Sequence, residues 1–187
     1  MAAAAGLPNS RVVVVDPSAA MLAGACEGVR TECLDAGEWA DDDSQRFGGV
    51  LLKEVVHHLG EPEARGRVFA ALARNRVAAG GALLVVTRPS EPIDYPMWPA
   101  AKAVWAANQP SASTLADELT SAGLLVETSL ARYPLEMPTS TWTAMVRGRF
   151  WSTFSHFTDE ELETVFPAEP AREICLGDSR AFSLSFF

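Results

Sequence analysis

Four consecutive β-branched residues followed by an acid, Val12-Val13-Val14-Val15-Asp16, constrain this chain more than any other stretch. A run that is apolar at every position reads as a parallel strand buried on both faces. Pro17-Ser18 breaks the strand, and a helix capped by Ser18 follows, carrying Ala19, Met21, Leu22 and Ala25 and stopping near Gly28. The Asp16 carboxylate then sits at the C-terminal end of a strand, where open α/β sheets bind nucleotides. Its oxygens suit the two hydroxyls of a ribose. The residues before Val12 hold neither a strand nor a glycine-rich loop, so the chain reads as entering such a sheet at its second strand.

The rest alternates in the same way. Residues 2–8 read as the end of a helix, and Val29–Leu34 as a short strand ending at Asp35. The acidic stretch Gly37–Gly49 reads as a loop, and Val50-Leu51-Leu52 as a buried strand. A helix starts at Pro62, buries Ala64, Val68, Ala71 and Leu72 at helical spacing, and is ended by Gly80-Gly81. Ala82–Thr87 is another all-apolar strand, completing a βαβ unit. Residues 88–110, rich in Pro and Trp, form a lid or insertion. Beyond them come helix Ser113–Ala122, strand Leu124–Thr128, helix Thr141–Phe150, a capping box at Thr158 and Glu161, and a last strand Ala181–Phe187. The expected architecture is one α/β domain over residues 1–187. Its sheet is mostly parallel with helices on both faces, and the last strand is free to run antiparallel.

Composition narrows the function classes. A chain of 187 residues, 48% hydrophobic and 21% charged, buries a core without staples. Its net charge of −9 argues against nucleic acid or an anionic membrane as partner. Cys26, Cys33 and Cys175 form no C-x-x-C pair, and they read as reduced thiols of a cytoplasmic protein with no metal. The opening Met-Ala-Ala-Ala-Ala-Gly lacks the features of a signal peptide, and no stretch approaches the ~20 apolar residues of a membrane span.

VVVVDPSAAMLAGA, LDAGEW, FGGVLLKEVVHHL and the Gly-Gly before ALLVVTRP together resemble four successive blocks of class I S-adenosylmethionine-dependent methyltransferases. The similarity is to the small-molecule branch and spans residues 8–90. It implies a Rossmann-like fold, S-adenosylmethionine as cofactor and a small-molecule acceptor. By the same resemblance Asp16 holds the donor's ribose, Met21 packs near its adenine, and Asp35 accepts from the adenine amino group. Ala36 offers its backbone N–H there, and Lys53 and Glu54 line the methionine moiety. Two departures stand out. Gly48-Gly49 replaces an acid usual before the fourth strand, and the family's first strand and glycine-rich loop have no counterpart. That strand is central, so its loss leaves two edges unpaired. Each unpaired buried backbone group costs about 1–3 kcal/mol, against a total stability of roughly 5–15 kcal/mol. The expectation is an N-terminally truncated form, with Met1 inside the family's first helix, that is poorly stable or binds donor weakly.

Each residue also has a plainer reading. Asp-Pro-Ser is good turn chemistry for Asp16, Asp35 suits a solvated loop, and Met21 suits ordinary core. His57 and His58 follow the fourth strand of the family pattern. Orientation does much of the work in methyl transfer, and a base is needed only for a protonated acceptor, a role for which His57 and His156 are candidates. Arg88 binds an acidic acceptor or pairs with Asp94. Tyr95, Trp98 and Trp105 line an acceptor pocket or pack the insertion onto the sheet, and Arg147 and Arg149 lie on a solvated helix face. Three functions follow: methyl transfer, a non-catalytic remnant or interaction domain with the same fold, and an NAD-dependent oxidoreductase, whose ribose an acid after the second strand serves equally well.

Overall fold

The valine run forms strand β1 (Val13–Val15), parallel to β2 (Arg30–Glu32), with the four-residue helix α1 (Ala19–Leu22) between them. The computed structural model describes residues 8–165 and 174–186, so the helix end expected over residues 2–8 lies outside the described residues but for Pro8. Helix α2 (Ala36–Asp41) leads to β3 (Phe47–Lys53), and α3 (Pro62–Ala71) continues through a π-helical turn, Leu72–Arg76, into β4 (Val77–Thr87). Then come α4 (Pro99–Asn108), α5 (Ala112–Ser121), β5 (Val126–Met137), α6 (Thr139–Arg147), α7 (Asp159–Val165) and β6 (Ile174–Phe186). The α/β class expected from the sequence is the one found, and the last strand is antiparallel to both its neighbours.

The strands form two sheets. One is β1–β2, the other runs in the order β3–β4–β6–β5, with β3 and β4 parallel. Among the described residues, β1 and β3 therefore each have one edge without a strand partner. The main core joins the two sheets, since Val15 packs against the cluster that holds Val50, Leu52, Phe69, Leu72, Leu83, Val85, Leu115 and Leu119. Val14 and Leu51 are 39% and 40% exposed, which corrects the expectation of strands buried on both faces. Alternation explains it. Val50 and Leu52 point into the core, and Leu51 points the other way, where the described residues leave it open.

Two loop and turn expectations also fail, for a shared reason. Residues 36–41 are helical because Asp35 and Glu38 form a capping box, with Asp35 Oδ1 accepting from Glu38 N at 2.8 Å and Glu38 Oε2 from Asp35 N at 3.2 Å. The acidic stretch beyond is tied down by Arg76, a buried guanidinium that stacks on Trp39 at 4.2 Å. It donates to the carbonyls of Trp39 at 2.6 Å and Gln45 at 3.1 Å, and it pairs with Asp42 at 2.9 Å. The α3 segment ends at this anchor, ahead of Gly80-Gly81, which lie inside β4 rather than at a helix stop. There the register jumps from Phe47↔Val77 to Gly49↔Ala82. A Cβ on Gly81 would meet the Ala78 carbonyl oxygen at 2.9 Å and those of Gly48 and Phe47 at 3.1 Å, so only glycine lets the backbones pass.

A second, aromatic core lies apart from the first. Tyr95, Met97, Ala101 and Trp105 from the segment after β4 pack with Trp142 and Val146 of α6, with Phe154 of the 3₁₀ turn Ser152–His156, and with Leu162 of α7. The expected capping box of α7 is present, with Glu161 N donating to Thr158 Oγ1 and Thr158 N to Glu161 Oε2. Among the described residues no helix is long and apolar enough to cross a membrane.

Candidate active site

The chemistry-bearing residues gather just beyond the C-terminal ends of β1, β2, β3 and β4. Asp16 follows β1. Its Oδ1 accepts from Ser18 N at 2.8 Å, the turn role foreseen as the plainer reading, while Oδ2 has no partner among the described residues. Asp35 lies three residues beyond β2 and caps α2. The first-turn N–H groups of that helix, Ala36 included, have no acceptor within the helix. Met21, 70% exposed on α1, is not core.

Glu54 follows β3 with φ of +56°, a left-handed conformation that non-glycine residues adopt only under constraint. The constraint is visible: Glu54 N donates to the Val86 carbonyl at 2.8 Å, continuing the β3–β4 ladder. Its carboxylate then meets Arg88, which follows β4, with Nη1 donating to Oε2 at 3.1 Å. Arg88 thus pairs with Glu54, where the sequence left Asp94 as a possible partner. Burial pushes the Glu54 carboxyl above its ordinary range, opposed by the charges of Arg88 and Lys53.

The Arg88 guanidinium also lies 4.8 Å from the ring of Trp151 and 5.6 Å from that of Tyr95. Tyr95 stacks on Trp142 at 5.9 Å and meets Trp151 edge-on at 4.7 Å, while Trp105 Nε1 donates to the Pro89 carbonyl at 3.0 Å. Sequence reasoning missed Trp151. It sits far along the chain, just after α6, in a stretch that Phe150, Phe154 and Phe157 mark as aromatic but that nothing local ties to Arg88. Trp98 lies farther out, stacked on Phe154 and edge-on to Phe157, beside an open cleft of about 340 Å³ shared with Glu160 and Thr164. A larger open cleft, about 700 Å³, runs between Ser90–Ile93 and Lys102. Neither touches Asp16, Asp35 or Glu54.

His57 and His58 occupy a 3₁₀ turn after β3, with ring centroids 4.0 Å apart. His57 Nδ1 is buried without a partner, and burial first, then the charges of His58 and Arg88, lowers the imidazole to about 4. The ring is therefore neutral at neutral pH. Because its folded value lies below the unfolded 6.5, the contribution to stability is present above pH 6.5 and is lost as pH falls towards 4. After solvent screening the loss is roughly 1 kcal/mol. The urea midpoint of the wild-type protein should accordingly fall more between pH 7 and pH 5 than that of His57→Gln, and equal slopes would show that His57 titrates normally. His156 is exposed in the 3₁₀ turn Ser152–His156. Arg147 and Arg149 pair with Glu163 and Asp159 at 2.6 Å each, so the helix face foreseen as merely solvated carries ion pairs.

No family model and no curated protein matches this sequence. Solved structures do. A putative methyltransferase from an antibiotic biosynthesis pathway of Anabaena variabilis superposes with a TM-score of 0.64 at 16% identity, over 97% of this chain and 83% of its own. The N-methyltransferase NodS of Bradyrhizobium japonicum gives 0.53 at 12% identity, over 94% and 72%. A SAM-dependent methyltransferase from Archaeoglobus fulgidus gives 0.52 at 16% identity, over 93% and 74%. The fold is that of the class I S-adenosylmethionine-dependent methyltransferases.

Within this methyltransferase fold the residues suit the donor in part. Asp16 keeps one carboxylate oxygen uncommitted, Asp35 and the first turn of α2 present acceptor and donor groups together, and the left-handed residue Glu54 turns the chain at the end of β3. Those are the group types that a ribose, an adenine and an amino-acid moiety require. Beside β1 no described residue supplies a glycine-rich loop.

Proposed function

We propose that the protein transfers a methyl group from S-adenosylmethionine to a small molecule in the cytoplasm. The observation that carries this reading is the placement of Asp16, Asp35 and Glu54 at successive strand ends of a methyltransferase fold. In it Asp16 takes the ribose hydroxyls, Asp35 and Ala36 the adenine edge with Met21 beside it, and Lys53 and Glu54 the methionine end. The cofactor would supply an activated methyl group on sulfonium, open to in-line displacement. The chain's part is then to orient the acceptor and exclude water, which is where most of the rate of such a reaction arises. In this reading His57, neutral and within the field of Arg88, takes a proton from a hydroxyl or amine acceptor.

Calorimetric titration with S-adenosyl-L-homocysteine tests this. Asp16→Asn keeps an oxygen for Ser18 N but loses the charge, and it should weaken binding about ten-fold, some 1.4 kcal/mol. No heat from a folded wild-type protein would sink the reading. The open edges of β1 and β3 favour a second one, an interaction domain that keeps the fold without catalysis, and that same null result would support it.

A further inference from the structure

Arg65 and Arg88 use the same chemistry to different extents. Arg65 presents its side-on edge, Nε and Nη2, to Glu118 and holds both carboxylate oxygens, at 2.7 and 2.6 Å. Arg88 spends only Nη1, on one oxygen of Glu54, and its Nε–Nη2 edge has no hydrogen-bond partner among the described residues. The Arg88 and Glu54 side chains are 24% and 23% exposed. The guanidinium carbon lies 4.8 Å from the Trp151 ring centroid and 5.6 Å from that of Tyr95, and together with the Glu54 bond these contacts limit how far the group can swing before any ligand arrives. An edge of two parallel N–H groups, on a partly buried guanidinium at a strand end, matches one ligand group above others, a carboxylate.

Building on the methyl-transfer reading, we propose that the acceptor is a carboxylate-bearing small molecule anchored by the free edge of Arg88. Glu54 holds the guanidinium through Nη1, and the rings of Trp151 and Tyr95 lie against it. Glu54 and Trp151 are positioning residues here, acting through Arg88. The rival arrangement is a cationic acceptor that displaces Arg88 from the two rings and pairs with Glu54.

Ligand-observed NMR on the full chain, with sodium benzoate, benzamide and benzylamine as probes, separates the two. Benzoate should bind roughly ten-fold more tightly than benzamide, because only the acid fills both donors. Arg88→Gln should bring benzoate to within about two-fold of benzamide, and Arg88→Lys, which keeps charge without the fork, should lose about five-fold. The proposal is overturned if wild-type protein binds benzoate no better than benzamide, if benzylamine binds most tightly, or if Arg88→Gln retains the preference. The wild-type comparison needs no variant to fold. S-adenosyl-L-homocysteine binding, measured separately, reads the donor site. Benzoate selectivity without it would keep the carboxylate site and remove methyl transfer.

Discussion

Replacing Glu118 by leucine is expected to cost about 3–5 kcal/mol of folding stability. The Arg65 and Glu118 side chains are 6% and 11% exposed, and they are joined by two short bonds between α3 and α5. Arg65 Nη1 also donates to the Gly60 carbonyl at 3.1 Å, so the pair fastens the turn that carries His57 and His58. Removing the carboxylate strands a buried cation, and the penalty is its desolvation more than the lost attraction. The double variant Arg65→Met/Glu118→Leu removes both charges and should return to within about 1–2 kcal/mol of wild type, on either side. Urea denaturation read by circular dichroism checks both. A single variant costing less than about 1 kcal/mol would show that water reaches Arg65 when Glu118 is gone.

Trp142→Ala should be as damaging, about 3–5 kcal/mol, but in the other core. Trp142 is fully buried, stacked on Tyr95 and edge-on to Trp151 at 5.6 Å and Phe154 at 6.1 Å. Two of those neighbours are the rings that hold Arg88. Their collapse should abolish the preference of the protein for benzoate over benzamide, while S-adenosyl-L-homocysteine affinity changes by less than about three-fold, since Asp16 and Asp35 lie on elements outside the aromatic core. Trp142→Phe should cost less than about 1.5 kcal/mol, because Nε1 is buried without a partner and its loss offsets part of the lost volume. Equal loss of donor and benzoate binding in Trp142→Ala would mean that the two cores unfold together.

How far the sequence could be read depends on the range of the interaction. The β-branched run before Asp16 and the apolar strand before Arg88 are legible because parallel strands leave a local pattern. The box at Thr158 and Glu161 is legible because both partners lie within four residues. Asp35 and Glu38 form the same device, and it was hidden by the acidic composition around it, which reads as loop. Gly80-Gly81 was misread because glycine marks a permission and not an element: the contact that needs it comes from β3. The sequence offered Asp94 to Arg88, yet the β3–β4 register that pairs Lys53 with Val86 brings Glu54 alongside.

The sequence by itself determined the α/β class, the order of the strands along the chain, and the acids at their ends. Local patterning and short-range caps are enough for that, since each acts over a few residues. Only the tertiary structure decided that the described strands form two sheets, that the described residues leave Leu51 and Val14 partly exposed, and that Arg88 meets both Glu54 and two aromatic rings. Those features depend on which distant segments meet, and that is settled by strand register and by the packing of the aromatic core.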